Sequence, residues 1–376
     1  MRYGSVCSGI EAATVAWRPL GWRCAFVSET EPFASEVLKH RLPEVPNLGD
    51  FTKIEGSGKR EKGKERKEVV GYDGDIDLLV GGTPCQSFSS GGKRGGIADP
   101  RGSLAIEFVR LAERTDARWL VWENVPAVLA INGGRDFAAF LSELVGWSVQ
   151  PPDGGWGNSG IVTNAPGRYG VSWRVLDARY TRVSAFPRAV PQRRRRVILV
   201  GCRDSWECAA EVLLGGELCG RDACPSREAG VRPAADSGEC ASGECFPIDM
   251  MNIEGRTKRL KTKCYDEAGA AMYTLRSSHV NAVCTPVQLR RLLPVESERL
   301  MGFPDGWTDI PWKRKPHAPD GFRHRVCGNS MCVNVMRWVG ERIAAVEAGK
   351  EFQDYGSVKD RGDNGESPPL AQEGGG

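Results

Sequence analysis

Short apolar runs recur between Tyr3 and Val200, each ending in a small or polar residue and most followed by a helix-like stretch. Tyr3 to Cys7 is the first; Ser8-Gly9 and a helix from about Glu11 follow it. Cys24 to Val27 ends at Ser28 and Glu29, and Ile76 to Val80 ends in Gly81-Gly82-Thr83-Pro84-Cys85. Trp119 to Trp122 ends at Glu123-Asn124, and Val197 to Val200 comes later. Strands that alternate with helices predict an α/β fold with a doubly wound, mostly parallel sheet. Such sheets bind ligands beyond the carboxyl ends of their strands. The polar residues just named stand at those ends.

Several segments interrupt the rhythm. The run from Gly56 to Glu68 is rich in Lys, Arg, Glu and Gly and reads as a solvated loop. Pro151 to Gly170, rich in Gly, Pro and Asn, also reads as loop. Between about Cys202 and Cys284 the alternation gives way to Gly, Cys and scattered charge, as in a separate irregular module. From residue 350 the chain is Gly, Glu, Asp and Pro, the composition of a disordered tail.

Composition narrows the class. The 376 residues are 40% hydrophobic and 26% charged, ordinary values for a globular protein. No apolar run approaches the roughly 20 residues of a membrane span, and Met1 to Ser8 has no signal-peptide layout. A cytoplasmic protein is expected, and its 13 cysteines then read as reduced thiols, one of them a candidate for catalysis. The net charge of +3 is too small to demand a nucleic-acid partner. Local clusters say more: Arg193 to Arg196, then Arg290, Arg291 and Arg299, then Lys313 to Lys315 suit either phosphate contact or a solvated face.

Four features carry candidate chemistry. Cys85 follows a proline at a strand end and precedes a loop of small residues, Ser87 to Gly92. A thiol placed there can meet a ligand as a thiolate nucleophile; a buried thiol acting as a small hydrophobe is the other reading. Glu123 at the next strand end can hold a proton as a general acid, or simply start a helix. Arg194 and Arg196 are two apart, so a strand would point both the same way, giving two guanidinium forks suited to a carbonyl and a phosphate. Ser8-Gly9-Ile10-Glu11 is a glycine turn, and Glu29 stands where an acid binds ribose in a nucleotide half-fold or does structural work.

In this order the motifs resemble those of the DNA cytosine-5 methyltransferase family, of bacterial or phage type, over residues 3 to 345. The matching segments are Ser5 to Ile10; Gly82 to Ser89 with Asp99 to Leu104; Glu123-Asn124-Val125; Gln192 to Arg196; Arg290 to Asp305; and Gly328-Asn329-Ser330 with Asn334. The resemblance implies a sheet of the S-adenosylmethionine-dependent methyltransferase type. It implies a catalytic domain of residues 1–201 with 326–349, a smaller target-recognition domain of residues 202–325, and a tail of 350–376. Cys85 would attack carbon 6 of cytosine, Glu123 would bind N3 and the exocyclic amine, Arg196 would hold the base carbonyl and Arg194 would steady the pocket. S-adenosylmethionine would meet Cys7, Ser8, Gly9 and Ile10, with Glu29 on its ribose, Asp50 and Phe51 at adenine, and Pro84, Leu104, Asn329 and Ser330 at its methionine end. Gln86, Ser90, Arg94, Thr274 and Leu275 would contact double-stranded DNA.

A monomer methylating one site of about four to six base pairs is expected, in a bacterial or phage-infected cell, either in restriction-modification beside a separate cognate endonuclease or in viral self-protection. An RNA cytosine methyltransferase would carry a Cys-Phe-Thr stretch, which this chain lacks; an inactive DNA-binding protein would not need Cys85, Glu123, Arg194 and Arg196 together. The pairs Cys219/Cys224 and Cys240/Cys245 are spaced more widely than common zinc pairs, so no metal is expected. The chain departs from the family at Cys7, usually phenylalanine, and at Glu11 and Ala12, usually glycines. Arg182 to Ala189 reads as an insertion able to disturb the register of Arg194 and Arg196.

Overall fold

The computed structural model describes residues 1–55, 72–84, 103–183, 190–203, 205–215, 246–249, 271–276, 280–284 and 289–349. Cys85, Gln86, Ser90 and Arg94 lie outside them, as do the charged run 56–68, the cysteines at 219, 224, 240 and 245, residues 184–189 of the insertion and the tail 350–376.

Seven strands form one sheet: β1 (Arg2–Val6), β2 (Arg23–Ser28), β3 (Leu78–Gly81), β4 (Trp119–Asn124), β5 (Ser159–Val162), β6 (Gly170–Asp177) and β7 (Arg195–Cys202). Their order is β2-β1-β3-β4-β7-β6-β5. The first four run parallel; β7 is antiparallel to β4, β6 to β7 and β5 to β6. Five of the seven strands therefore point one way. The run at Val197–Val200, expected as another strand of the alternation, is the centre of the reversed β7.

Side chains alternate across this sheet with the period of two that a strand imposes. Leu78, Val80, Trp119, Val121, Ile198 and Val200 join one buried cluster, while Leu79, Leu120, Trp122, Val197 and Leu199 join the other. Against the first face pack α1 (Ala12–Trp17), α5 (Trp206–Leu214) and α8 (Val333–Glu347); against the second pack α3 (Ser103–Thr115) and α4 (Arg135–Val145). Both faces are covered, as the continuous apolar runs require. The α1–α8 crossing is close because Gly340 leaves room for Trp17, whose indole N–H donates to the Met336 carbonyl at 2.7 Å.

Two sequence expectations change here. The stretch 151–170 is not all loop, because β5 occupies Ser159–Val162 as the sheet's outer strand. Its small residues hide the strand signal; Gly160 makes the space in which the Trp173 ring lies. The α/β alternation also runs one helix beyond Cys202, since α5 buries Ala209, Val212 and Leu213 in the first core. Met301, Phe303, Ile310 and Ala318 belong to that core too. The boundary expected at residue 202 therefore does not coincide with a break in the core.

The remaining strands, β8 (Phe246–Ile248), β9 (Ala282–Cys284) and β10 (Leu289–Arg291), form a small antiparallel sheet. Three more helices are α2 (Pro32–Arg41), α6 (Pro294–Met301) and α7 (Asp320–Asn329). The turn after α6 is held by Glu298, fully buried, which accepts from the Gly306 amide at 2.7 Å, the Thr308 amide at 2.9 Å and Arg323 at 3.1 Å. Among the described residues no helix is long and apolar enough to cross a membrane.

Gly160→Ala tests the edge assignment. An added Cβ would collide with the Trp173 ring, so the variant is expected to lose about 1–3 kcal/mol in urea unfolding. An unchanged midpoint would mean that β5 is not packed this way.

Candidate active site

Strand register assembles the site. Val6 pairs with Ser28 on one side and Gly81 on the other, and Gly81 pairs with Trp122. The next residues, Cys7, Glu29, Gly82 and Glu123, thus all emerge beyond one edge of the sheet. Because β7 runs the other way, its first residues reach the same edge: Val197 pairs with Asn124, and Arg196 comes one residue before it.

The loop after β1 is tightly wound, with Cys7, Gly9 and Glu11 all in the left-handed region at φ 49°, 57° and 63°. Ser8 and Ser28 exchange hydrogen bonds, and the Gly9 amide donates to Glu29 Oε2 at 2.8 Å. The Trp307 indole donates to the Ile10 carbonyl at 2.9 Å and closes the loop from outside. Cys7, Ser8, Gly9, Asn329 and Ser330 line one pocket, together with Ser5, Glu11, Gly82, Glu123 and Met331. Sequence analysis placed Glu11 in a glycine turn and as a departure from the family, but not in a pocket wall.

The other expected cofactor residues are not among those lining this pocket. Ile10 and Phe51 are core side chains, and half-buried Leu104 packs against the second core. Glu29 already accepts the amides of Gly9, Thr30 and Glu31, and Asp50 accepts the Thr52 amide and hydroxyl. Pro84 is exposed where the described chain stops. Burial, then the charges of Glu29 and Asp50, push the Cys7 thiol up to about 12. Burial also raises Cys24, Cys327 and Cys332. These thiols are poor nucleophiles.

This sheet edge is held by polar contacts. Glu123 Oε1 meets Arg196 Nε at 3.1 Å, an ion-pair contact whose angle leaves that buried oxygen without a hydrogen bond. The Asn124 amide donates to the Thr83 carbonyl at 2.9 Å, and the Trp122 indole donates to the Thr83 hydroxyl at 3.0 Å. The root of the Cys85 loop is therefore pinned to the end of β4. Arg194 is 2% exposed and donates to the carbonyls of Leu275, Gly328 and Ser330. Burial, then the neighbouring Arg196, lower it to about 10, so it stays charged at neutral pH. Thr274 donates to the Arg193 carbonyl, and Leu275 is buried. The Thr-Leu pair thus anchors its segment to the arginine run. The paired register of Arg195 with Asp177 and Arg196 with Leu176 is regular, so the insertion before Val190 leaves it undisturbed.

The model of the C-5 cytosine-specific DNA methylase family matches residues 1–151 and 230–345, more than half of the chain. The chain belongs to this family. It is 33% identical to a phage P1 protein named DNA N-6-adenine-methyltransferase over 91% of this chain, but spans only 61% of that protein's length. It is 32% identical to the type II methyltransferase M.AquIA of a Picosynechococcus over 53% of this chain and 71% of that one. It is 24% identical to M.DsaV of Dactylococcopsis salina over 94% and 90%. Its fold is similar to that of the S. pombe Dnmt2 methyltransferase, with TM-score 0.55, 14% identity and coverage of 92% and 99%. A DNA modification methyltransferase encoded within an E. coli prophage gives TM-score 0.53, 16% identity, and 93% and 99%.

Members of the family take their methyl group from S-adenosylmethionine, and the pocket fits such a donor. Gly9 has open space where a Cβ would stand, and Gly82 brings backbone close to Glu123 and Met331. Glu11 supplies a carboxylate in the wall, 1% exposed, accepting from Ser5 Oγ at 2.7 Å and from the Thr14 amide and hydroxyl at 3.2 Å each. Among the described residues no group of His, Cys, Asp or Glu could hold a metal.

Burial raises the Glu11 carboxyl from 4.5 to about 7. Folded protein thus holds this proton more tightly than unfolded chain. Its stabilising effect is complete below pH 4.5 and is lost as pH rises through 7. Relative to Glu11→Gln, wild type is expected to lose about 3 kcal/mol in urea unfolding between those limits. Parallel profiles for the two proteins would refute the shift.

Proposed function

We propose that this chain methylates carbon 5 of cytosine in a short double-stranded DNA sequence. The observation that supports this reading is the meeting, at one sheet edge, of the Glu123–Arg196 pair, the pinned root of the Cys85 loop and the pocket lined by Ser8, Gly9, Asn329 and Ser330.

Carbon 6 of cytosine is inaccessible inside a duplex, so the base must flip out at a cost of a few kcal/mol. The Cys85 thiolate forms a bond to carbon 6, and the ring becomes electron-rich at carbon 5. Glu123 hydrogen-bonds N3 and the exocyclic amine, which favours that attack. Arg196 holds both the base carbonyl and Glu123; Arg194 fixes the backbone of Gly328 and Ser330 beneath the pocket. S-adenosylmethionine, when bound, supplies an electrophilic methyl group. Carbon 5 then loses its proton to a base, the carbon 6–sulfur bond breaks, and Cys85 is regenerated.

The segment carrying β8 to β10 and Thr274-Leu275 is assigned to target recognition, with Gln86, Ser90 and Arg94 contacting DNA from the catalytic side. Modification of a single short site, by a monomer working beside a separate endonuclease, belongs to the same proposal; the relatives M.AquIA and M.DsaV are named type II methyltransferases. Adenine methylation, the activity in the phage P1 protein's name, is disfavoured here. Exocyclic-amine methylation uses an Asn/Asp-Pro-Pro-aromatic loop, and this sequence contains none.

Labelled methyl transfer to unmethylated duplex DNA tests the proposal. Wild type should place label on carbon 5 of cytosine, Cys85→Ala should place none, and label on adenine or RNA would overturn the reading. In the same assay Glu123→Gln is expected to slow transfer about 10²- to 10⁴-fold; a rate within threefold of wild type would remove Glu123 from the chemistry.

A further inference from the structure

Glu11 is an unusual residue for the place it holds. Its backbone is left-handed at φ 63°, a conformation that costs a non-glycine residue about 1 kcal/mol or more. The residue lines the pocket, and its carboxylate is buried and surrounded by donors: Ser5 from β1, and the amide and hydroxyl of Thr14 from α1. Tyr3 stands behind Thr14, bonded to its hydroxyl at 2.6 Å, and Cys24 faces the group from β2. Burial and the Glu11 charge hold both Tyr3 and Cys24 in their neutral forms. Glu29 and Asp50, acidic side chains around the loop, face Cys7, while Glu123, paired with Arg196, lines the same pocket. From α8, Arg337 is committed to the Ala16 carbonyl and to Glu341.

No Lys, Arg or His among the described residues pairs with Glu11. Buried charges are normally paired, and helix capping alone is served as well by Ser, Thr, Asn or Asp. What is missing is a cation, and the pocket is where one could arrive.

Resting on the methyltransferase reading, we propose that Glu11 sets the charge preference of the cofactor pocket: its carboxylate favours the sulfonium of S-adenosylmethionine over the neutral thioether of S-adenosylhomocysteine. Methyl transfer removes the positive charge from sulfur, so the same residue that holds the donor releases the product. A cationic ligand also stabilises the carboxylate against protonation. With the free carboxyl at about 7, donor binding near neutral pH expels part of a proton, while product binding does not.

Isothermal titration of the full chain with S-adenosylmethionine and with S-adenosylhomocysteine tests this without any turnover. Glu11→Gln retains an oxygen acceptor for Thr14 and removes the charge. The ratio of product to donor dissociation constants should fall about fivefold or more in this variant at pH 7.5. Titrations of wild type at pH 7 in two buffers of different ionisation enthalpy should show proton release with the donor only, and Glu11→Gln should show none. An unchanged ratio, or equal weakening for both ligands, would make Glu11 a purely structural cap and overturn the proposal. Should the variant not fold, wild type alone decides: its ratio must fall between pH 7.5 and 6, and a constant ratio refutes the idea. Wild type binding neither ligand would instead overturn the methyltransferase reading itself.

Discussion

The site depends on one rung of the sheet. Val6, Ser28, Gly81 and Trp122 are in register, so four loops leave the sheet at one level. Parallel strands make this possible, since their carboxyl ends share an edge. The reversed β7 then brings arginines to that edge from the opposite direction. Two glycines keep the rung compact: a Cβ at Gly81 would strike Val6 and Phe108, and one at Gly82 would press on Met331 and the Glu123 carbonyl. Nothing else in the pocket could be where it is if this register slipped.

Around that rung the protein handles buried charge in three ways. Arg194 satisfies its guanidinium with three backbone carbonyls and thereby ties β7 to the Thr274-Leu275 segment and to the end of α7. Glu298 pairs with Arg323 and accepts backbone amides, fixing the turn that carries Trp307 onto the Ile10 carbonyl. Both are structural solutions, although the buried Nε of Arg194 keeps no hydrogen bond. Glu11 has donors but no cation, and it alone of the three lines the pocket. Glu123 shares its charge with Arg196 yet keeps one buried oxygen without a hydrogen bond, as suits a group that must still engage a substrate.

Packing surrounds some of the residues expected at the site. Phe51 and Ile10 stand at the right places in the chain for a cofactor site, yet their side chains turn into the cores. Leu275 is likewise buried, and its carbonyl ties its segment to Arg194. Proximity along the sequence to a binding loop does not decide on which side of the backbone a residue falls; the alternation of the neighbouring strand does.

The sequence by itself determined the strands β1 to β4 with their polar ends, the order of the catalytic motifs and hence the family. These signals are local: apolar runs, turn residues and contiguous motifs survive without tertiary context. Strand direction in the second half of the sheet, the edge strand hidden at Ser159–Val162 and the helix at Trp206–Leu214 were decided only by the tertiary structure. Each rests on partners distant in the chain, such as Trp173 over Gly160. The same holds for Glu11. In the sequence it is one acid in a glycine turn, and only folding brings it to a buried pocket wall with Ser5 and Thr14 around it and no cation to meet it.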